Sequence, residues 1–526
     1  AGGHAAKPRI DGVSPATAPA GSTINITGSG FLLTNTVAFG GTSASFQVVS
    51  STLIQAVVPR TAGSGLITVT TNNHTAKSPI QFVVSPSIWF TPPYGPPTTN
   101  VTVGGSGFGP SEQVAVTFNG TALPLAPTDG NGVFQAAPHL VPATALPGTQ
   151  AVTALGQTSG LSASASFLVN TDWATMHDDL TRSGLNPYEN VLSSGNVSGL
   201  TKAWSFATSN FVDSSPAEVD GVVYIGSEDG NLYALNATSG ALLWSFATGG
   251  FVEPPPTVAN GVVYFGSDDN HLYALNAATG TQLWSFATGT GNDETSPAVV
   301  NGVVYFGSDD QNVYALNAAT GAQVWHHTTG GIVGASPAVV GGVVYVGSGD
   351  GHVYALDAAT GTLKWNYATP SLQFIDSSVA VANGVVYVGS FDANLYALNA
   401  SAGTLLWNFQ TGAAIRSSPA VSGNIVYVAS QDSKLYALDA TNKGALLWTA
   451  STLDSIFSSP AVASDVVYVG SDDDKLYAFN AAGCGAPTCA ALWSFATLGA
   501  IVSSPAVANG MVYAGSNDFS FYAFKL

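Results

Sequence analysis

The sequence predicts an all-β chain in which two β-sandwich modules precede a closed ring of eight four-stranded blades. Three observations predict it. Tryptophans at Trp204, Trp244, Trp284, Trp325, Trp365, Trp407, Trp448 and Trp493 recur every 40 to 45 residues. Between them fall eight copies of "VYxGS" or a near variant, centred on Tyr224, Tyr264, Tyr305, Tyr345, Tyr387, Tyr427, Tyr468 and Tyr513, and a period of this length marks a repeat architecture. The first third of the chain lacks that period and shows short alternating strands broken by Gly and Pro, the pattern of β-sandwiches.

Each repeat parses into four strands, of the types "SSPAV", "GVVYVGS", "NLYALNA" and "LLWSFAT", bounded by Gly, Asn, Asp or Ser. The second strand is apolar at nearly every position, which suits a sheet covered on both faces. Four-stranded blades stacked around an axis, as in a β-propeller, supply that cover. After Trp493 only three strands remain before Leu526, so "TKAWSFAT" around Trp204 is expected to complete the last blade and close the ring. The eight tryptophans are then structural, their rings buried between neighbouring blades. Asp229, Asp269, Asp310, Asp350, Asp392, Asp432, Asp473 and Asp518 fall at the strand-joining turns. A carboxylate there accepts bonds from turn amides, so these acids read as architecture rather than catalysis.

The expected boundaries are a tail at 1–7, sandwich modules at 8–85 and 86–170, and the propeller at 171–526 with a lead-in at 171–203. "SPSIWFTPPYGPP" would be a stiff, proline-rich joint between the sandwiches.

Composition narrows the function classes. Only 8% of the 526 residues are charged, and the formal net charge is −19. That sign opposes nucleic acid phosphates and anionic lipid, so nucleic acid is not an expected partner. No apolar run approaches the 18 or more residues of a membrane-spanning helix. The chain starts at Ala1 without Met, consistent with numbering that begins after a cleaved signal peptide or at an engineered start. Cys484 and Cys489, the only cysteines, are close enough in "GCGAPTCA" to close a short disulfide loop. Such a loop implies an oxidising, secreted or cell-surface setting. Asn-x-Ser/Thr sequons stand at Asn25, Asn73, Asn100, Asn119, Asn196, Asn236 and Asn399.

No nucleophile elbow, phosphate-binding loop, zinc-protease helix or haem-attachment motif occurs. His326 and His327 are adjacent on an expected strand, so they point to opposite faces and do not share a metal. Departures from the repeat point elsewhere. Three positions before the "SP" proline or its equivalent, the copies read Asp213, Glu253, Glu294, Gly334, Asp376, Arg416, Phe457 and Val502. These positions should ring one mouth of the central channel. Asp213, Glu253, Glu294 and Asp376, with Asp293 beside them, are candidates to hold a hard cation such as Ca²⁺ through oxygen ligands. A solvated acidic rim is the other reading of the same residues.

"ALNAATGTQLW" (Ala274 to Trp284) and "ALDAATGTLKW" (Ala355 to Trp365) resemble the tryptophan-docking repeat of pyrroloquinoline-quinone-type propellers. The segment from Asp172 to Trp204 resembles the lead-in of bacterial quinoprotein-like propellers. "PRIDGVSPATAPAGSTINITGSGF", with "VAFGG" and "AVVP", resembles the IPT/TIG immunoglobulin-like family over Pro8 to Val84, and Pro86 to Val169 repeats the plan. The propeller resemblance implies that a quinone dehydrogenase would carry adjacent cysteines, a calcium-binding set of acids and Asn, and a catalytic Asp in elaborated loops. This chain has no adjacent cysteines, and its blades are close to minimal length. The expectation is therefore a secreted or cell-surface, non-enzymatic binding or structural protein without a cofactor, Ca²⁺ aside. It would take a protein or glycan ligand at a propeller face, and self-associate through its Ig-like modules into a surface fibre. The alternatives are a quinoprotein dehydrogenase and a scaffold resembling the eight-bladed lipoprotein of outer-membrane assembly.

Overall fold

The computed structural model describes residues 7–72, 74–289 and 295–526. Apart from three single 3₁₀ turns, its regular structure is strand throughout. No described helix is long and apolar enough to cross a membrane. The chain divides into two compact units, Ala1–Asn170 and Thr171–Leu526.

In the first unit, strands Arg9–Ser14, Thr23–Ser29, Leu53–Val57 and Phe46–Ser50 form one sheet of a sandwich. Thr17–Pro19, His74–Ser85, Gly65–Thr71, Thr34–Phe39 and Thr42–Ser43 form the facing sheet. Alternation puts Ile24, Ile26, Ile54, Ile67, Val69 and Phe82 between them. The second sandwich encloses Val103, Phe118, Phe134, Val152 and Phe167 in the same way. The tail residues 1–6 and the sequon asparagine Asn73 lie outside the described residues.

The second unit holds eight blades of four antiparallel strands. The apolar second strand is the blade's spine: in Val343–Gly347 every residue after the first is buried. The eighth blade joins Ala506–Ala508, Met511–Ser516 and Ser520–Lys525 to Thr201–Ala207, with Phe206 opposite Phe521. The ring thus closes through two segments more than 300 residues apart. Blade seven gains Leu185–Asn186 beside its innermost strand, and blade six gains Thr488–Cys489 beside its outermost. A disulfide joins Cys484 to Cys489 in that last loop.

Each tryptophan locks its blade to the next. The indole N–H of Trp325 donates to the Ala358 carbonyl at 3.0 Å, and its ring lies on Gly361, where a Cβ would sit 2.6 Å from the indole. The same indole-to-carbonyl bond recurs from Trp204, Trp244, Trp284, Trp365 and Trp448. Trp493 reaches the Leu200 carbonyl, and Trp407 packs on Gly444. The turn acids do what their position suggests: Asp350 accepts from Tyr354 Oη at 2.6 Å and from the Gly330 amide of the preceding loop. All eight repeat the tyrosine bond.

Closure has a measurable consequence. Trp204 stands 6.1 Å from Tyr513 and 5.8 Å from Phe521, centroid to centroid. Trp204→Ala should therefore speed amide exchange at Tyr513 in blade eight as well as around Gly240 in blade one. An effect confined to blade one would argue against a load shared across the seam.

Candidate functional site

Before seven of the eight innermost strands a buried aliphatic residue anchors the chain: Val212, Val252, Val333, Ile375, Ile415, Ile456 and Ile501. Each anchor pushes its successor toward the axis. Those successors, Asp213, Glu253, Gly334, Asp376, Arg416, Phe457 and Val502, line one cup of about 280 Å³ at the channel mouth, together with Met176, Pro255 and a set of serines. Glu294 and its neighbour Asp293 lie outside the described residues.

Of the carboxylates expected to hold a cation, Asp376 already has a cationic partner. Its carboxylate accepts from Arg416 Nε at 2.9 Å and pairs with Nη2 at 2.7 Å. The guanidinium also sits 5.9 Å from the Phe391 ring and 5.5 Å from that of Phe457. Among the described residues no group of three or more His, Cys, Asp or Glu is placed to hold a metal. An eightfold ring spreads equivalent positions apart, and the neighbouring blade supplied the counter-charge. On the opposite side the acids crowd: burial, then Glu228 and Asp472, pushes Asp213 up to about 6. Asp268 and Asp472 are raised to about 6 by burial and their own acidic neighbours.

Below the rim runs a chain of serines. The backbone N–H of Ser296 donates to Ser336 Oγ at 2.9 Å, Ser336 to Ser378, Ser378 to Ser418, Ser418 to Ser459, Ser459 to Ser504, and Ser504 to Ser215. The chain breaks at blade two, where Pro255 stands in the serine position. Fixed bonds from blade to blade make the bottom of the cup rigid.

The cup has a floor because the lead-in segment stoppers the channel. Trp173 exchanges two backbone bonds with Glu218 of blade one. The carbonyls of Ala174, Leu180, Thr181, Ser183 and Gly184 accept from Val258, Val339, Val381, Val421 and Val462 of blades two, four, five, six and seven. Asn186 Nδ2 donates to the Val507 carbonyl of blade eight at 2.9 Å. Blade three is held by Arg182, fully buried, whose guanidinium donates to Ser296 and Pro297, to the Pro337 carbonyl, and to Thr175 and Met176 of its own segment. Burial lowers Arg182 to about 10 without discharging it at neutral pH. Burial and that cation push His177 down to about 3, so its ring stays neutral.

At the seam between blades eight and one, Glu218 accepts from the Gly221 amide at 2.9 Å and from Asn509 Nδ2 at 2.7 Å. Burial, then the charge of Asp172, pushes it up to about 8. A raised carboxyl favours the folded state while protonated, and that contribution is lost as pH rises through the folded value. The melting temperature is therefore expected to fall from about pH 4.5, the ordinary carboxyl value, to about pH 8, and Glu218→Gln, neutral throughout, should flatten the fall. Asp213, Asp268 and Asp472 titrate lower, so matching profiles for the two proteins would exclude Glu218 as the cause.

His326 and His327 do point apart. His326 meets Gln323 and Tyr314, while His327 faces Tyr354 of the next blade and is lowered by burial. The donor set does not suit a pyrroloquinoline quinone. That cofactor is a tricarboxylate, and the cup would meet it with Asp213, Glu253 and Asp376 and a single cation already paired. The two cysteines form their disulfide in a loop against Trp448.

The serine chain and the Met176 floor went unread in the sequence, although a Ser before the Pro of the innermost strand recurs in six of the eight copies. The repeat count put Asp376 and Arg416 at equivalent positions of adjacent copies but gave no distance between their side chains.

Comparison with known proteins is consistent with this architecture. Residues 192–296, 290–377, 370–453 and 440–525 match the family model described as outer membrane protein assembly factor BamB, and residues 8–84 match the IPT/TIG domain. No curated protein matches the chain. Among solved structures, BamB from Moraxella catarrhalis is 20% identical with a TM-score of 0.54, over 62% of this chain and 100% of that one. The quinohemoprotein alcohol dehydrogenase ADHIIG from Pseudomonas putida HK5 is 17% identical with a TM-score of 0.60, over 68% and 80%. A europium-containing methanol dehydrogenase is 14% identical with a TM-score of 0.58, over 68% and 98%. These structures share the propeller fold, and they include both an assembly factor and enzymes.

Proposed function

The chain belongs to the BamB family of propellers, and from that premise we propose that it is a non-enzymatic binding protein, secreted or held at the cell surface. Its Ig-like modules present a propeller that takes its ligand in the cup. The observation that carries this is the blind channel: a segment bonded to all eight blades closes one end, leaving a single polar mouth. Net charge and the disulfide favour an extracytoplasmic setting. Self-association belongs to the same reading. Leu32 and Leu33 are 70% and 54% exposed on one turn of the first sandwich, with Val49 50% exposed, and apolar tips of this kind mark contact sites.

The test is reconstitution of the purified chain with pyrroloquinoline quinone and Ca²⁺, followed by a scan for quinone absorbance and for dye-linked alcohol oxidation. Neither stoichiometric uptake nor turnover is expected, and turnover would overturn the proposal. Light scattering over a concentration series should show mass growth that Leu32→Ser with Leu33→Ser suppresses. A strictly monomeric native chain would remove the fibre from the reading.

A further inference from the structure

The cup's floor and rim are chemically opposite, and that asymmetry selects a ligand class. Ser378, Ser418, Ser459 and Ser504 are each at most 7% exposed, and each Oγ accepts one backbone N–H. The hydroxyl hydrogen of each remains a donor, with no acceptor for it among the described residues. Ser336 turns its own toward Met176 Sδ, at 3.7 Å. The floor therefore offers hydrogen-bond donors. At the rim stand carboxylates, which only accept, and the buried Oδ1 of Asp213 has no partner among the described residues. Phe457 and Val502 give one stretch of wall an apolar surface.

We propose that the cup receives the terminal neutral pyranose of a glycan, a specification that rests on the binding-protein reading above. A sugar ring carries hydroxyls that donate and accept at once, and it has an apolar C–H face. Its hydroxyl hydrogens meet Asp213 and the other rim carboxylates in charge-assisted bonds, which are stronger than neutral ones. Its oxygens accept from the floor serines, and its C–H face lies on Phe457. A cup of about 280 Å³ has the room for one sugar ring rather than for a folded peptide. A bare cation would leave the floor donors unused, and an anionic sugar would meet the acidic rim of a chain with net charge −19.

The experiment titrates the full chain with glucose, galactose, mannose, N-acetylglucosamine and the matching uronic acids, by calorimetry and saturation-transfer NMR. At least one neutral sugar is expected to saturate with Kd of about 1 mM, and its uronic acid to bind at least about tenfold more weakly. Asp213→Asn, Ser418→Ala and Phe457→Ala should each weaken binding about tenfold, while Lys434→Ala should not. Melting curves accompany each variant, and three separate substitutions keep the test decisive if one impairs folding. No saturation by about 50 mM, equal binding of the uronic acid, or native affinity in all three cup variants would overturn the inference. A lysine-rich peptide that binds and is lost in Asp213→Asn, with no sugar binding, would also overturn it while leaving the binding-protein reading intact. Quinone uptake with turnover would overturn both.

Discussion

Trp325→Ala is expected to lower the stability of the propeller by about 3–5 kcal/mol, the usual cost of emptying a large aromatic site in a core. The indole of Trp325 is buried between blades three and four, with its ring on Gly361 and its N–H on the Ala358 carbonyl. Gly361 has φ +69° and contacts the indole directly, so no side chain from that turn can fill the space left behind. The Ala358 carbonyl keeps a second donor, Tyr305 Oη at 3.0 Å. Trp325→Phe should accordingly cost much less, because it retains most of the volume and orphans no acceptor. Denaturant unfolding of the two variants beside exposed Lys434→Ala checks the ranking; a surface change is expected to stay within about 0.5 kcal/mol. Equal midpoints for Trp325→Ala and Lys434→Ala would refute the interlocking role.

The second large effect is expected at the stopper. Arg182 makes six hydrogen bonds from a fully buried position. Arg182→Met removes the donor that the Met176, Ser296 and Pro337 carbonyls accept from, and breaking a buried charged network from one side typically costs about 3–5 kcal/mol. The loss should appear first where the stopper grips the ring: the amides of Val339, Val381, Val421 and Val462 are bonded to it and should exchange faster. Arg182→Lys keeps the charge but has three donors on a flexible stem in place of a planar fork, so it should recover only part of the loss. Native exchange at those four valines in Arg182→Met would mean that the stopper stays seated without its central cation.

Part of the site was legible because propeller position follows from repeat position. Counting three residues back from the proline, or its equivalent, that precedes each innermost strand brought Asp213, Glu253, Asp376 and Arg416 to one mouth, where the structure has them. The count gives an angular position but no distance to the neighbouring blade. It therefore treated Asp376 as available to a cation when Arg416 had claimed it. The lead-in shows the same limit. "TMHDDLTRSG" has no strand period, and its left-handed residues His177, Asp178 and Arg182 follow from bonds to other blades rather than from local preference.

By itself the sequence determined the architecture: an apolar second strand, a turn acid and a docking tryptophan, repeated eight times, with one outer strand missing at the end and present at the start. Those are short-range rules, written within 45 residues and satisfied by the adjacent blade. Only the tertiary structure decided that the channel is blind, that a rim acid is neutralised, and that serines from successive blades form a donor floor. Each of these depends on groups from two or more blades meeting at the axis, and that meeting is a property of the closed ring that no single repeat contains.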